Sequence, residues 1–232
     1  IDDFIKVAKK RKDGLYWKQK MLGLLLIAVS FSFYIYYKGI GTEIMIPFLG
    51  MDRTIALGWF FIPFTVLVLI SATNSVNITD GLDGLAAGVT LIITVFFTIV
   101  AMTSNEWEHV KIFSSIVSGG CLGFLAFNAY PARVFMGDTG SLALGGAVGA
   151  ISIAMNMPLI LIIVGGIYVI ESLSVLLQVT YFKMTGKRIL KMAPIHHHFE
   201  LSGWKETKVV VLFYIITILL CVVGFLALKF YK

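Results

Sequence analysis

The sequence predicts an all-α polytopic membrane bundle of seven transmembrane helices, on three observations. First, 58% of the 232 residues are hydrophobic and 14% are charged, with a mean hydropathy of +0.91, which excludes an ordinary soluble domain. Second, seven apolar stretches, residues 21–37, 55–73, 85–103, 112–130, 141–157, 159–182 and 209–228, approach or reach the roughly 20 residues that cross a hydrocarbon core. Third, the cations are sorted by side. With connections counted alternately, the segment before the first span and the 74–84, 131–140 and 181–208 loops share one face carrying 14 of the 19 Lys and Arg. By the positive-inside rule that face is cytoplasmic and the C-terminus lies outside. The net charge of +6 therefore reports topology, and no nucleic-acid partner is expected. No repeat and no Pro- or Ser-rich linker divides the chain, so residues 1–232 read as a single membrane domain. Cys121 and Cys221 fall in apolar stretches with no second cysteine nearby, and read as small core residues.

Eight of the 13 carboxylates lie on the cation-rich face: Asp2, Asp3, Asp13, Asp80, Asp83, Asp138, Glu200 and Glu206. Topology alone needs only Lys and Arg, so the loops carrying these acids are the candidate site. The opening segment holds Asp2, Asp3, Lys6 and Lys10. On a helix Asp2 to Lys6 and Lys6 to Lys10 are i,i+4 steps, which suits a juxtamembrane basic helix or an Asp pair that positions a phosphate. After the first span, residues 43–47 (Glu-Ile-Met-Ile-Pro) suit a small periplasmic hairpin or a partly buried loop.

The second loop reads Asn74-Ser-Val-Asn77-Ile-Thr-Asp80-Gly81-Leu82-Asp83-Gly84. If helical, Asn77, Asp80 and Asp83 drift by only about 60° per step and share a side. An Asn/Asp/Gly turn explains the composition, yet two carboxylates with no cation between them repel, and glycines let a ligand or another backbone approach. The third loop runs from Asn128 through Pro131 and Phe135 to Asp138-Thr-Gly-Ser141. Asp138 or Ser141 could be a helix N-cap; alternatively the helix start attracts phosphate, Asp138 holds Mg²⁺ against it, and Phe135 stacks on a base.

Glu171 is the one charge inside a span, followed by Ser172, Ser174 and Gln178. It reads equally as a transport residue or as the polar lining of a broken helix. The last loop holds Met192-Ala193-Pro-Ile-His196-His197-His198-Phe-Glu200. Three adjacent imidazoles converge poorly on one metal, which argues against zinc; beside Lys183, Lys187, Arg188 and Lys191 they suit a polyphosphate better.

Taken together, these four clusters resemble the phospho-N-acetylmuramoyl-pentapeptide transferases, a family within the polyprenyl-phosphate N-acetylhexosamine-1-phosphate transferase superfamily. The first three clusters are similar to the wider superfamily, and the triple-His segment points to the muramoyl-pentapeptide members. The resemblance implies ten spans, with three upstream of Asp2, a homodimer, and a bacterial plasma-membrane location with the site on the cytoplasmic side. It implies transfer of the phospho-sugar from UDP-N-acetylmuramoyl-pentapeptide to undecaprenyl phosphate, giving lipid I and UMP, with Mg²⁺ as cofactor. It further implies a catalytic group of Asp2, Asp3, Lys6, Asp138, His196, His197 and His198. Lys10, Asn74, Asn77, Asp80, Gly81, Leu82, Asp83, Asn128, Phe135, Gln178 and Ala193 would bind substrate. Asp138 is the expected metal ligand and Asp80 a second candidate. Lys6, Lys10 and the three histidines are expected to meet phosphates. The alternatives are a related transferase for another UDP-amino sugar, and an ion-coupled carrier with a relay through Glu171 and Asp80.

Overall fold

The computed structural model describes residues 16–39 and 42–228. Nine α-helices and one two-stranded hairpin form a bundle in this order: α1 Trp17–Lys38, β1 Glu43–Met45, β2 Thr54–Ala56, α2 Phe61–Thr79, α3 Leu85–Ala101, α4 Glu108–Asn128, α5 Gly137–Ala154, α6 Pro158–Val164, α7 Gly166–Thr185, α8 Ile195–Glu200 and α9 Glu206–Leu228. Five helical stretches among the described residues are long and apolar enough to cross a membrane: Trp17–Lys38, Gly58–Thr79, Asn105–Asn128, Gly166–Thr185 and Glu206–Leu228. The chain is thus an all-α polytopic membrane protein.

The apolar stretches that predict the spans become helices, with two corrections to their course. Ile55, expected to open the second span, lies in β2, and the helix starts only at Phe61. The expected continuous span over 159–182 is split into α6 and α7 at Gly165. A Cβ there would stand 2.6 Å from the Leu161 carbonyl, so the chain turns where only glycine fits. Leu85–Ala101 and Gly137–Ala154, expected as spans, fall outside the set long and apolar enough to cross.

The bundle is apolar on its outside as well as in its core. α1 buries Ala28, Ser32 and Ile35 while Leu22, Leu26 and Ile27 are exposed, the pattern expected where hydrocarbon is the solvent. Small and hydroxyl side chains join the helices. Thr65 donates to Ser32 at 2.7 Å, Ser118 to Thr94 at 2.8 Å, and Thr90 and Tyr168 share a 2.7 Å bond. Gly145 of α5 lets that helix lie against the α2 backbone, because a Cβ there would be 2.6 Å from the Ala72 carbonyl oxygen. α3 is the core: Leu85, Val89, Ile93, Phe97 and Val100 are fully buried, packed by α4 on one side and α9 on another.

Residues 43–47 contribute the first strand of a small hairpin and are partly buried. β1 pairs antiparallel with β2, Ile44 opposite Ile55, and Ile44 and Met45 are buried. The Met45 amide donates to the Asn156 carbonyl at 2.8 Å and the Phe48 amide to Ala227 at 2.7 Å, so the hairpin ties the end of α9 to the α5–α6 turn.

Candidate active site at one end of the bundle

The candidate site is assembled from the start of α1, the ends of α2 and α4, the starts of α3, α5 and α9, and the α7–α8 loop. Five cross-links hold these pieces together. Gly84 begins α3 with φ +78°, a left-handed conformation that glycine adopts without strain. Its amide donates to Asn128 Oδ1 at 3.1 Å, and its carbonyl accepts from the Tyr214 hydroxyl of α9 at 2.6 Å. Asn128 returns its amide nitrogen to the Val134 carbonyl at 2.9 Å. The Asp83 carboxylate accepts from the Ala132 amide at 2.8 Å, while the Asp83 amide donates to Glu206 Oε1 at 2.7 Å.

These links frame a cavity of about 280 Å³. Asn77, Asp80, Asp83, Asn128, Phe135 and Asp138 all line it, with Gly81 and Leu82 in its wall. Two sequence-distant loops, 74–84 and 128–141, thus converge on one space. Asn77 Nδ2 donates to Ser141 at 2.8 Å and reaches Asp138 Oδ1 at 3.4 Å. The other Asp138 oxygen is paired with Lys20 Nζ, an ion pair between the starts of α1 and α5. Burial and the neighbouring Asp138 carboxylate push the Asp80 carboxyl up to about 6. Phe135, 75% exposed, offers a ring face at the rim.

The turn reading of the 74–84 loop is met at its second half. Asp80 terminates α2, its amide donating to the Val76 and Asn77 carbonyls, and the following residues still wall the cavity. The N-cap reading of Asp138 and Ser141 is not met: no side chain caps α5. Ser141 donates back to the Gly137 carbonyl at 2.9 Å. Asn74 donates to the Ile70 carbonyl at 2.7 Å, one turn before Asn77, and does not line the cavity.

Gln178 and Ala193 come together elsewhere, in a second cavity of about 430 Å³ shared with Lys183 and Arg188. Gln178 spends its amide on the α7–α8 loop, its oxygen accepting from the Ile189 and Leu190 amides at 3.1 and 3.0 Å.

The expectation that all three histidines meet phosphates is not what the geometry offers. His196 is wholly buried, with Nδ1 3.0 Å from Glu171 Oε1, and Glu171 is equally buried. His197 Nδ1 is 2.7 Å from Glu200, and His198 Nδ1 accepts from the Lys191 amide at 3.1 Å. Successive side chains on a helix diverge by about 100°, and although the His196 and His197 rings touch, with centroids 4.2 Å apart, each Nδ1 faces a different partner. No group of three or more His, Cys, Asp or Glu suited to a metal occurs among the described residues. Glu171 follows the helix break and faces His196, the arrangement expected for a polar lining. Asp2, Asp3, Lys6 and Lys10 lie outside the described residues.

Sequence reading missed three contributors. Lys20 was one cation in a basic run, Glu206 one acid beside Lys205, and Tyr214 an aromatic in an apolar span. Only Glu206 carried a signal, as a carboxylate on the cation-rich face.

Known proteins resemble the chain over its whole length. The model of Glycosyl transferase family 4 matches residues 1–156. A phospho-N-acetylmuramoyl-pentapeptide-transferase of Acetivibrio thermocellus is 73% identical over 233 residues, covering 100% of this chain and 70% of the relative. Proteins of the same name from Clostridium novyi and Clostridium botulinum are 55% and 53% identical, each covering 98% of this chain and 70% or 69% of their own.

Proposed function

The chain belongs to the phospho-N-acetylmuramoyl-pentapeptide-transferase family of glycosyl transferase family 4, and from that premise we propose the reaction and the work of each side chain. The protein transfers phospho-N-acetylmuramoyl-pentapeptide from its UDP derivative to undecaprenyl phosphate, forming lipid I and UMP in peptidoglycan synthesis. One observation supports the site assignment above the others: Asn77, Asp80, Asp83, Asn128, Phe135 and Asp138, from two loops distant in sequence, line one cavity at the helix ends. A water-soluble nucleotide and a lipid phosphate can meet only near such an interface.

An oxygen of the lipid phosphate attacks the sugar-bearing phosphorus of the donor, the bond to the bridging oxygen breaks, and UMP leaves. Such transfer is catalysed mainly by positioning and charge stabilisation. Phe135 stacks on the uracil and Asn77 offers an amide to the nucleotide. Lys20, already drawn to Asp138, meets donor phosphate. Asp83 and Asn128 contribute to the donor site by tying its walls together. The donor set suits Mg²⁺: two carboxylates of one cavity, one made reluctant to ionise by burial and by the other's charge, match an ion that takes one or two carboxylates plus phosphate oxygens. Asp138, with Asp80, would hold it, and when bound it would neutralise charge on the diphosphate and the departing UMP.

A phosphate monoester has its second pKa near ~6 and needs little help from a base at neutral pH. Asp2 and Asp3 therefore position Lys6 and the acceptor, and Lys6 and Lys10 meet phosphate. Seven spans, a cytoplasmic site, an outside C-terminus and a homodimer complete the reading, the first three supported by the cation asymmetry and the last by family resemblance.

The test is to supply full-length protein with undecaprenyl phosphate, Mg²⁺ and a panel of UDP-sugars and to measure UMP release. Release with the muramoyl-pentapeptide donor is the expected result. Release only with UDP-N-acetylglucosamine would assign it to the wider superfamily, and ion flux without UMP would revive the carrier.

A further inference from the structure

Glu171 and His196 form a buried pair that no step above uses. Both are fully buried, and burying a carboxylate at membrane depth is costly unless it is paired. Their 3.0 Å separation is an ion-pair distance, yet none of the four heteroatoms has an aligned hydrogen-bond partner among the described residues. The opposite edge of the ring is pressed against the cavity wall. A Cβ on Gly81 would lie 2.3 Å from His196 Nε2 and 2.8 Å from Cε1. Gly81 does not have a positive φ, so it is the ring, and not the turn, that requires a bare backbone there. The same stretch of α7 is bonded to α2, Ser172 donating to Ser75 at 2.7 Å.

We propose that Glu171 and His196 are a pair of positioning residues for the transfer: the carboxylate fixes the imidazole from the bundle interior, and the imidazole props the Asp80–Asp83 loop from behind, so that Asp80 is held facing Asp138. This rests on the reading of that cavity as the donor site. The pair touches neither substrate. Its effect falls on the loop carrying Asp80, where charge builds during transfer. Phe135 and Asn77, on other elements, retain their contacts with the donor.

The test uses the full-length enzyme in lipid nanodiscs, with kcat, KM for the UDP-linked donor and Tm measured for wild type, Glu171→Ala, Glu171→Gln, His196→Ala and the double alanine variant. Each alanine variant is expected to lower kcat by about 30-fold or more with KM within about threefold, because an interaction with the transition state is lost and donor binding is kept. Glu171→Gln retains an oxygen acceptor and should recover most of the loss. The double variant should be no worse than the weaker single, as for two residues acting as one unit. Should the alanine variants not fold, Gly81→Ala pushes on the same ring from the other side and should reproduce the kcat loss. Losses that multiply in the double variant, or a lower Tm with wild-type kcat per folded molecule, would overturn the pairing; so would wild-type kcat in folded Gly81→Ala. Absence of turnover in the wild type would instead overturn the transferase reading, and the pair's role with it.

Discussion

The Asp80–Asp138 cavity and the triple-His segment look equally chemical in sequence, and they are built in opposite ways. Around the cavity, side chains from two loops line a shared space: Asp138 reaches Lys20 of α1 and Asn77, and Phe135 is exposed at the rim. In α8 each imidazole turns to its own neighbour, His196 to Glu171, His197 to Glu200 and His198 to the Lys191 amide. Convergence on a shared cavity suits groups that meet a ligand, whereas imidazoles each turned to a separate partner suit groups that hold a loop. The histidines thus frame a site whose chemistry lies with the carboxylates and amides.

The largest effect that would sharpen this contrast is expected at Asp138. Asp138→Asn should reduce kcat by about 1,000-fold, equivalent to about 4 kcal/mol, because a neutral amide is a poor Mg²⁺ ligand. Thermal unfolding should be little changed, since the side chain is partly exposed and caps no helix. Near-normal turnover at limiting Mg²⁺ would move the metal elsewhere and dissolve the distinction between the two regions.

Lys20→Gln comes next. If the ammonium meets donor phosphate, its loss should raise KM and cost about 10- to 100-fold in kcat/KM, the worth of one charge-assisted hydrogen bond. Unaltered kinetics with a changed Tm would make the Lys20–Asp138 pair purely structural.

A smaller change is expected where α9 holds the cavity wall. Tyr214→Phe removes the hydroxyl that donates to the Gly84 carbonyl and should cost about 1 kcal/mol of stability, read as a drop in Tm. A much larger loss of activity than of stability would mean that the hydroxyl reaches substrate.

The smallest effect is assigned to His197 and His198. Replacing both with Gln should leave kcat/KM within about threefold, because Gln can still bond Glu200 and the Lys191 amide. A loss approaching that of Asp138→Asn would make α8 a phosphate-binding element and erase the comparison.

Much of this was legible from residue chemistry. Acids on a cation-rich face needed a reason, and that argument alone singles out the 74–84 and 128–141 loops. Their convergence is the part that alternating membrane topology makes readable, since both loops return to one side. The hairpin, too, could be anticipated at Glu43–Met45. What escaped was the set of contacts between elements distant in sequence. The break at Gly165 is hidden because an apolar run with glycines reads the same whether continuous or split. Glu171 was visible as a costly buried charge, but its partner sits beyond the next loop. Tyr214 gave no signal, because an aromatic in an apolar span is ordinary until its hydroxyl finds the Gly84 carbonyl. The divergence of the imidazoles follows from the α8 helix, which six residues after Pro194 do not announce.

Equilibrium binding of UMP, with and without Mg²⁺, tests most directly whether the carboxylate cavity rather than the histidine segment is the nucleotide site. Wild type and the His197→Gln/His198→Gln variant should bind UMP alike, within about twofold, and both should bind more tightly when Mg²⁺ is added, whereas Asp138→Asn should lose the Mg²⁺-dependent gain. Loss of binding in the histidine variant, with the gain intact in Asp138→Asn, would contradict the account.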